Sequence, residues 1–413
     1  MSFYKEIPKH WGIKMLSEVC KVITGTTPPK NDISNYGDEI PFVKPPQLYD
    51  KSISNAPEKL SLKGATLSRL LPINSVLVTC IGNLGRTAIN KIPVAFNQQI
   101  NALIPSNILD GKFLFYQTQS SNFRKQLEEL SSATTVAIVN KRKFETIKII
   151  IPFIEEQLQI VSKIDQLFSE LENGKQQLQI ALQQLKVYRQ SLLKWAFEGK
   201  LTNKNVNEGE LPKGWKKKKL DEITTTLGDG LHGTPKYSEN GEYYFINGNN
   251  LTDGKIEIKR NTKRVSFEEF DKYKKPLNER TIFVSINGTI GYTAFYNNEK
   301  IVLGKSACYF NVLDSINKYY IRYYLTCNLF ISYANTNATG STIKNVGLKT
   351  MRELQLPIPP TIDEQQIIVS ELENKLTVCD KIEETINQSL QQAETLRQSI
   401  LKKAFEGKLI KSN

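Results

Sequence analysis

Residues 188–201 read YRQSLLKWAFEGKL, and residues 396–409 read LRQSILKKAFEGKL. Eleven of the fourteen positions are identical at a constant offset of 208 residues, about half of a 413-residue chain. A period that long is too large for a solenoid unit, and it can hold a whole domain plus a helix. The chain therefore reads as two copies of one module, and a doubled module suggests a two-part target.

The second copy extends well beyond this block. Ile7-Pro8-Lys9-His10-Trp11 matches Leu211-Pro212-Lys213-Gly214-Trp215, and VTCIGNLGRTA (78–88) matches VSINGTIGYTA (284–294). Ala133, Thr134 and Asn140 match Ala338, Thr339 and Asn345. Near Pro152 and Pro359 both copies pass into EEQLQIV from Glu155 and DEQQIIV from Asp363. The layout is a basic domain at 1–152, a long helix and linker at 153–204, a second basic domain at 205–360 and a second long helix at 361–413.

The helices carry start and stop signals. Glu155-Glu156 and Asp363-Glu364 place negative charge in the first turn, where the helix dipole favours it. Gly199 and Gly407 stand at the ends, preceded by lysines within the last turns. Between these limits Val161, Phe168, Lys175, Leu182 and Arg189 occupy one heptad position, and Ile164, Leu171, Leu178, Leu185 and Leu192 fall three residues later. The second copy repeats this with Val369, Leu376, Glu383, Leu390 and Arg397, and with Leu372, Cys379, Ile386, Ala393 and Ile400. Such a seam predicts a coiled coil, with the two helices packed antiparallel. Lys175 and Glu383 interrupt it, either as alignment charges or as exposed ones. About 43 residues at ~1.5 Å each make a rod of ~60 Å, long enough to keep two domains apart. Ile160, Leu167, Ala181, Tyr188, Trp195, Ile368, Ile382 and Leu396 widen the apolar stripe and leave surface for a further partner.

The net charge of +13 is unevenly spread: +8 over 1–154, zero over 155–201, +7 over 202–360 and −2 over 361–413. Two basic bodies with neutral or slightly acidic connectors suit a polyanion bound at two places. Five scattered cysteines without a CxxC pair argue against a disulfide framework or a cysteine zinc site. No apolar run reaches membrane-spanning length, and the start of the chain lacks the apolar core of a secretory signal. These features predict a reduced, cytoplasmic protein with mostly buried thiols.

Within the domains, FVKPP, SVLVTCIG and AFNQQINALI, and then EYYFING, RTIFVSING and KSACYFNVL, read as short strands. Helical stretches intervene at 111–130 and 318–333. Each domain is expected to be a twisted, largely antiparallel α+β body. Polar residues crowd the turns: Thr26, Thr27, Lys30, Lys44, Gln47, Asn83, Arg86 and Gln98 in the first domain. In the second they are His232, Thr234, Lys236, Tyr237, Asn247, Asn249, Asn250, Thr289, Tyr292 and Lys305. Asn and Gln can pair with adenine and Arg or Lys with guanine in the major groove, while Lys, Ser and Thr mainly engage phosphates. Turn geometry alone also favours Asn and Gly, so only the collective bias is informative. Lys216 to Lys219 reads as a solvated or phosphate-facing strip.

Enzymatic signatures are missing. Gly304-Lys305-Ser306 lacks the earlier glycine of a phosphate loop, since position 299 is Glu299. There is no GxGxxG, and Lys44-Pro45-Pro46-Gln47 is not the Asn-Pro-Pro-aromatic motif of amino-methyltransferases. His10 and His232 are the only histidines, so no two-histidine metal site is expected.

In order, doubling and spacing, these features resemble the specificity (S) subunit of type I restriction–modification systems. TGTTPPK from Thr24 and LHGTPKY from Leu231, the GNLGRTAI and GTIGYTAF turns, the EEQ and DEQQ helix entries and the AFEGKL ends carry the resemblance. The first domain departs from it by having GTTP where the second has HGTP. The resemblance implies two target recognition domains, each reading one half of a split double-stranded DNA sequence, within a pseudo-twofold frame of two long helices. It implies two modification (M) subunits docked on the helices, bringing S-adenosylmethionine and adenine N6-methylation. Restriction (R) subunits would bring ATP, Mg and cleavage, so the chain itself holds no cofactor and no catalytic residue. Two other readings fit the bulk properties: an autonomous DNA-processing enzyme, and a coiled-coil scaffold for proteins.

Overall fold

The computed structural model describes residues 7–49, 51–132, 136–203, 205–340 and 342–410. Ala133 and Thr134, matched in the repeat, lie outside the described residues. The chain divides into two compact units, residues 1–179 with 387–413, and residues 180–386. Each unit takes one domain, half of the helix that follows it and half of the other helix.

The helices run from Ile154 to Phe197 and from Ile362 to Phe405, each 44 residues long. They are cut between units because each half buries its stripe against a different domain. In the first unit Ile160, Val161, Ile164 and Phe168 join Ile400, Leu401, Ala404 and Phe405 around Phe113 and Phe144. In the second, Leu192, Leu193, Ala196 and Phe197 join Ile368, Val369 and Leu372 around Tyr320 and Phe330. Along both helices the less exposed positions step by four and three residues in turn, the spacing of a coiled-coil seam. Val161, Ile164, Phe168, Leu185, Leu192, Val369, Leu372, Cys379, Ile386, Ala393 and Ile400 are buried, while Leu171, Leu178, Leu182, Leu376 and Leu390 are partly so.

Lys175 and Glu383 stand at the same position of the repeat, and each meets an opposite charge within its own unit. Lys175 Nζ reaches the Glu394 carboxylate at 2.7 Å, and that hydrogen bond raises the lysine pKa. Arg189 lies 2.6 Å from Asp380 and 3.0 Å from Glu383. Burial alone would lower its pKa; the Asp380 and Glu383 carboxylates act together against it and the net shift is upward. Arg397, the repeat counterpart of Arg189, instead covers the Phe168 ring at 4.1 Å.

The domains share one plan, although the two larger sheets of the first each have one strand more than those of the second. Gly12–Met15 pairs with Lys148–Ile151, and Lys216–Lys219 pairs with Gln355–Ile358. The lysine strip is thus a strand whose side chains are mostly exposed. In the first unit the larger sheet runs Cys20–Thr24, Ile100–Pro105, Val76–Thr79, Thr87–Asn90, Lys51–Ile53. In the second it runs Thr224–Asp229, Ala307–Val312, Thr281–Ser285, Thr293–Phe295. A second sheet in each unit is mixed: Tyr36–Val43 runs parallel to Val94–Phe96, and Tyr243–Ile246 parallel to Ile301–Leu303.

Three local expectations change. The strand expected through FVKPP stops at Val43, because Pro45 and Pro46 cannot donate to a ladder and instead open a 3-10 turn over Pro45–Gln47. AFNQQINALI breaks into Val94–Phe96 and Ile100–Pro105 around Asn97-Gln98-Gln99. The helix expected at 111–130 is two, Gly111–Gln119 and Ser121–Glu129, and that at 318–333 is Lys318–Thr326 and Asn328–Asn337. Ser120 is the break: its backbone is extended and its hydroxyl accepts the Phe123 N–H as an N-cap.

The repeated helix entries are joints. Glu156 accepts the Trp11 indole N–H at 2.9 Å, and Glu364 accepts that of Trp215 at 2.8 Å. The next residues, Gln157 and Gln365, are buried and accept the backbone N–H of Asp110 and Asn317, each at 2.8 Å. Asp110 and Asn317 in turn cap the helices from Gly111 and Lys318. The EEQ and DEQQ sequences therefore dock a long helix onto its domain at two points.

Candidate nucleic-acid interface

Backbone hydrogen bonds bring four loops of the first domain side by side. Thr26 N–H donates to Phe96 O, Asn97 N–H to Val43 O and Cys80 N–H to Gln99 O, at 2.8–3.1 Å. Loops 25–30, 43–49, 80–86 and 97–99 thus form one rim at the strand ends. The second domain builds the same rim: Leu231 N–H donates to Leu303 O, Gly304 N–H to Ile246 O and Ile286 N–H to Ser306 O, at 2.7–3.0 Å. Gly25 and Gly230 permit it, since a Cβ on either would fall about 2.2–2.3 Å from a carbonyl of the neighbouring turn.

These bonds assign counterparts. Gln98 corresponds to Lys305, Asn83 to Thr289 and Arg86 to Tyr292. The turn closures are alike: Thr79 Oγ1 accepts the Arg86 N–H at 3.0 Å, and Ser285 Oγ accepts the Tyr292 N–H at 2.9 Å. Gly82, Gly85, Gly288 and Gly291 all hold positive φ in these turns. A constant backbone therefore presents different side chains in the two domains. Gly304-Lys305-Ser306 is the counterpart of Asn97-Gln98-Gln99, a β-turn facing the rim and not a phosphate cradle.

The candidate side chains divide by what they already hold. Gln47 Oε1 accepts the Lys44 N–H at 2.8 Å, and Asn250 Oδ1 accepts the Asn247 N–H at 3.0 Å. Lys44 also pairs with Glu58, and Asn247 Oδ1 accepts the Ser306 hydroxyl at 3.1 Å. These four serve the turn itself. Thr27 donates its hydroxyl to Gln98 Oε1 at 2.5 Å, holding two loops together. Thr26 Oγ1 is buried without a hydrogen-bond partner among the described residues. Lys30, Asn83, Thr234, Lys236, Asn249, Thr289, Tyr292 and Lys305 face solvent. His232 is exposed and bonded to the Asp229 carboxylate, and Tyr237 lies under the Lys263 ammonium at 5.9 Å.

Tyr49 and Ser306 belong to this rim and were not among the sequence candidates. Tyr49 lies beneath the Arg86 guanidinium, 5.5 Å from ring centroid to carbon. The sole sequence trace of the paired turns is a polar residue followed three later by Gln or Asn and then Leu, in KPPQL and NGNNL. Among the described residues, no group of three or more His, Cys, Asp or Glu side chains could hold a metal ion. No helix among them is long and apolar enough to cross a membrane.

Comparison with known proteins matches the profile of the type I restriction modification DNA specificity domain to residues 8–181 and again to 212–392. The type I restriction enzyme EcoKI specificity subunit of Escherichia coli K12 is 25% identical, over 98% of this chain and 90% of its own length. The StySPI specificity subunit of Salmonella potsdam is 26% identical, over the same shares. Two solved structures share the fold at 19% identity. A chain from a study of assembly and conformational transition of the type I R-M system superposes with a TM-score of 0.72, over 98% of this chain and 99% of that one. The HsdS subunit from Thermoanaerobacter tengcongensis gives 0.62, over 97% and 98%. With both halves matched by one family and both rims built to one plan, the chain belongs to the type I restriction–modification DNA specificity family, whose domain it carries twice.

Proposed function

We propose that this chain is the DNA-recognition subunit of a type I restriction–modification complex, each rim reading one half of a bipartite site. The observation that carries this reading is the doubled rim, in which backbone hydrogen bonds repeat while Gln98/Lys305, Asn83/Thr289 and Arg86/Tyr292 differ. Two copies of one reader with unlike side chains suit two unlike half-sites, and the positive charge of both domains suits the phosphates that flank them. Domain boundaries at 152, 204 and 360 separate readers from helices in this scheme.

The chain directs chemistry performed by others. Methyltransferase subunits would dock on the helices, supplying S-adenosylmethionine and the transfer to adenine; restriction subunits would supply ATP, Mg and cleavage. Val187, Tyr188 and Trp195 on the first helix, and Ile367, Val378, Ile382 and Leu396 on the second, are apolar yet well exposed, which supports a protein partner there.

Methylome sequencing of cells carrying the chain with its partner subunits tests the reading. Exchanging residues 211–357 for those of a relative should change one half-site and leave the other intact. A motif unaffected by the exchange, or changed in both halves, would sink it.

A further inference from the structure

Arg86 ends the 80–86 turn of the first domain, and its backbone is pinned on both sides. Thr79 Oγ1 accepts the Arg86 N–H at 3.0 Å and donates to Asn83 O at 2.5 Å. Its side chain crosses the ring of Tyr49, itself 59% exposed. No described carboxylate forms an ion pair with Arg86, whereas Arg322 is engaged by Asp253 and Arg280 by the carbonyls of Val312, Leu313 and Ile316. Leu48, Tyr49, Leu84 and Arg86 face Arg124 and Glu128 across an open cleft of about 410 Å³ beside the rim.

A cation–π contact with an aromatic ring helps to hold a guanidinium in place without using any of its N–H donors. Two donors in one plane match the O6 and N7 acceptors of guanine in the major groove, while adenine offers a donor at N6. The second domain keeps the turn and loses this reader: Tyr292 replaces Arg86, and Thr252, which follows Leu251 as Tyr49 follows Leu48, replaces the ring. We propose that Arg86, positioned by Tyr49, reads a guanine in the half-site bound by the first unit, and that the equivalent position of the other half-site lacks this readout. This rests on the DNA-recognition reading above and deepens it.

The test uses the full chain with its methyltransferase subunits and methylome sequencing. The half-site left unchanged by exchange of residues 211–357 belongs to the first unit, and it should contain a guanine. Arg86→Gln should lower discrimination for that guanine by about 10- to 100-fold, leaving the other positions and the second half-site intact. Arg86→Lys should lower it less. Tyr49→Ala should loosen the same single position, and Tyr49→Phe, which keeps the ring, should restore it.

If a variant complex ceases to methylate, its binding to duplexes carrying each base at that position replaces the methylome readout, after circular dichroism shows it folded. Equal loss across the four bases overturns the proposal. So does an unchanged motif in Arg86→Gln, or a first half-site without guanine. A wild-type complex with no bipartite motif instead overturns the DNA-recognition reading, and this proposal with it.

Discussion

Gly407 closes on Pro8: a Cβ added to the glycine would lie 2.4 Å from the proline Cγ, and its φ is +71°. Gly199 stands in the same relation to Pro212, at 2.1 Å and +75°. The AFEGKL end of each helix is therefore a socket for a Pro-Lys-x-Trp segment at the start of a domain. The last helix seats the first domain, and the first helix seats the second. This explains why AFEGKL is the best-kept part of the repeat.

Gly407→Ala and Gly199→Ala should each destabilise their own unit. Left-handed backbone and overlap with a proline ring together cost roughly 2–4 kcal/mol. Urea denaturation should show a lower midpoint for both. Gly174→Ala, in open space at mid-helix, should leave stability equal or raise it by about 1 kcal/mol.

Gln157 and Gln365 are buried and hold backbone groups of the domains they join. Gln157 also donates to Ile108 O and Pro152 O, both at 2.9 Å. Replacing either by Ala leaves buried donors and acceptors unsatisfied and should cost roughly 2–4 kcal/mol, more than the same change at the exposed Gln166. Equal midpoints for Gln157→Ala and Gln166→Ala would contradict this.

The Arg189–Glu383 pair should behave as a register charge. Glu383→Lys sets a second cation against Arg189, only partly offset by Asp380, and Arg189→Glu sets three acids together. Each single change should destabilise by about 0.5–1 kcal/mol, small because the carboxylates are largely exposed to screening solvent. The double swap should recover part of the loss, and a thermodynamic cycle with no coupling would refute the pairing.

Thiol ionisation provides a pH test. Burial pushes Cys20 and Cys80 up to about 12, far above the range of a free thiol near 8.5. A raised folded pKa stabilises the fold below the unfolded pKa, and this contribution is lost as pH rises from about 9 toward 12. Stability should thus fall over that alkaline window, and Cys20→Ser with Cys80→Ala should flatten the fall. At pH 8 both thiols should resist alkylation until urea unfolds the protein.

The helices and the duplication were legible in the sequence because their causes are local. A 3.5-residue apolar period, acidic first turns and terminal glycines need no tertiary contact to be recognised, and the 208-residue offset stays constant along the helices. The rims were hidden for the opposite reason. Gln98 and Lys305, or Lys44 and Asn247, share no identity and sit at offsets of 207 and 203, because loops of unequal length intervene.

The sequence by itself determined two modules, each with one long helix, and the surplus of positive charge on each domain. Only the tertiary structure decided which polar residues serve the backbone and which face outward. Backbone N–H and C=O groups make the joints of each rim, and every residue type but proline carries both, so the side-chain pattern records little of the match. It also decided that each helix belongs half to one core and half to the other. A stripe that is apolar at both ends reads the same whichever domain buries it.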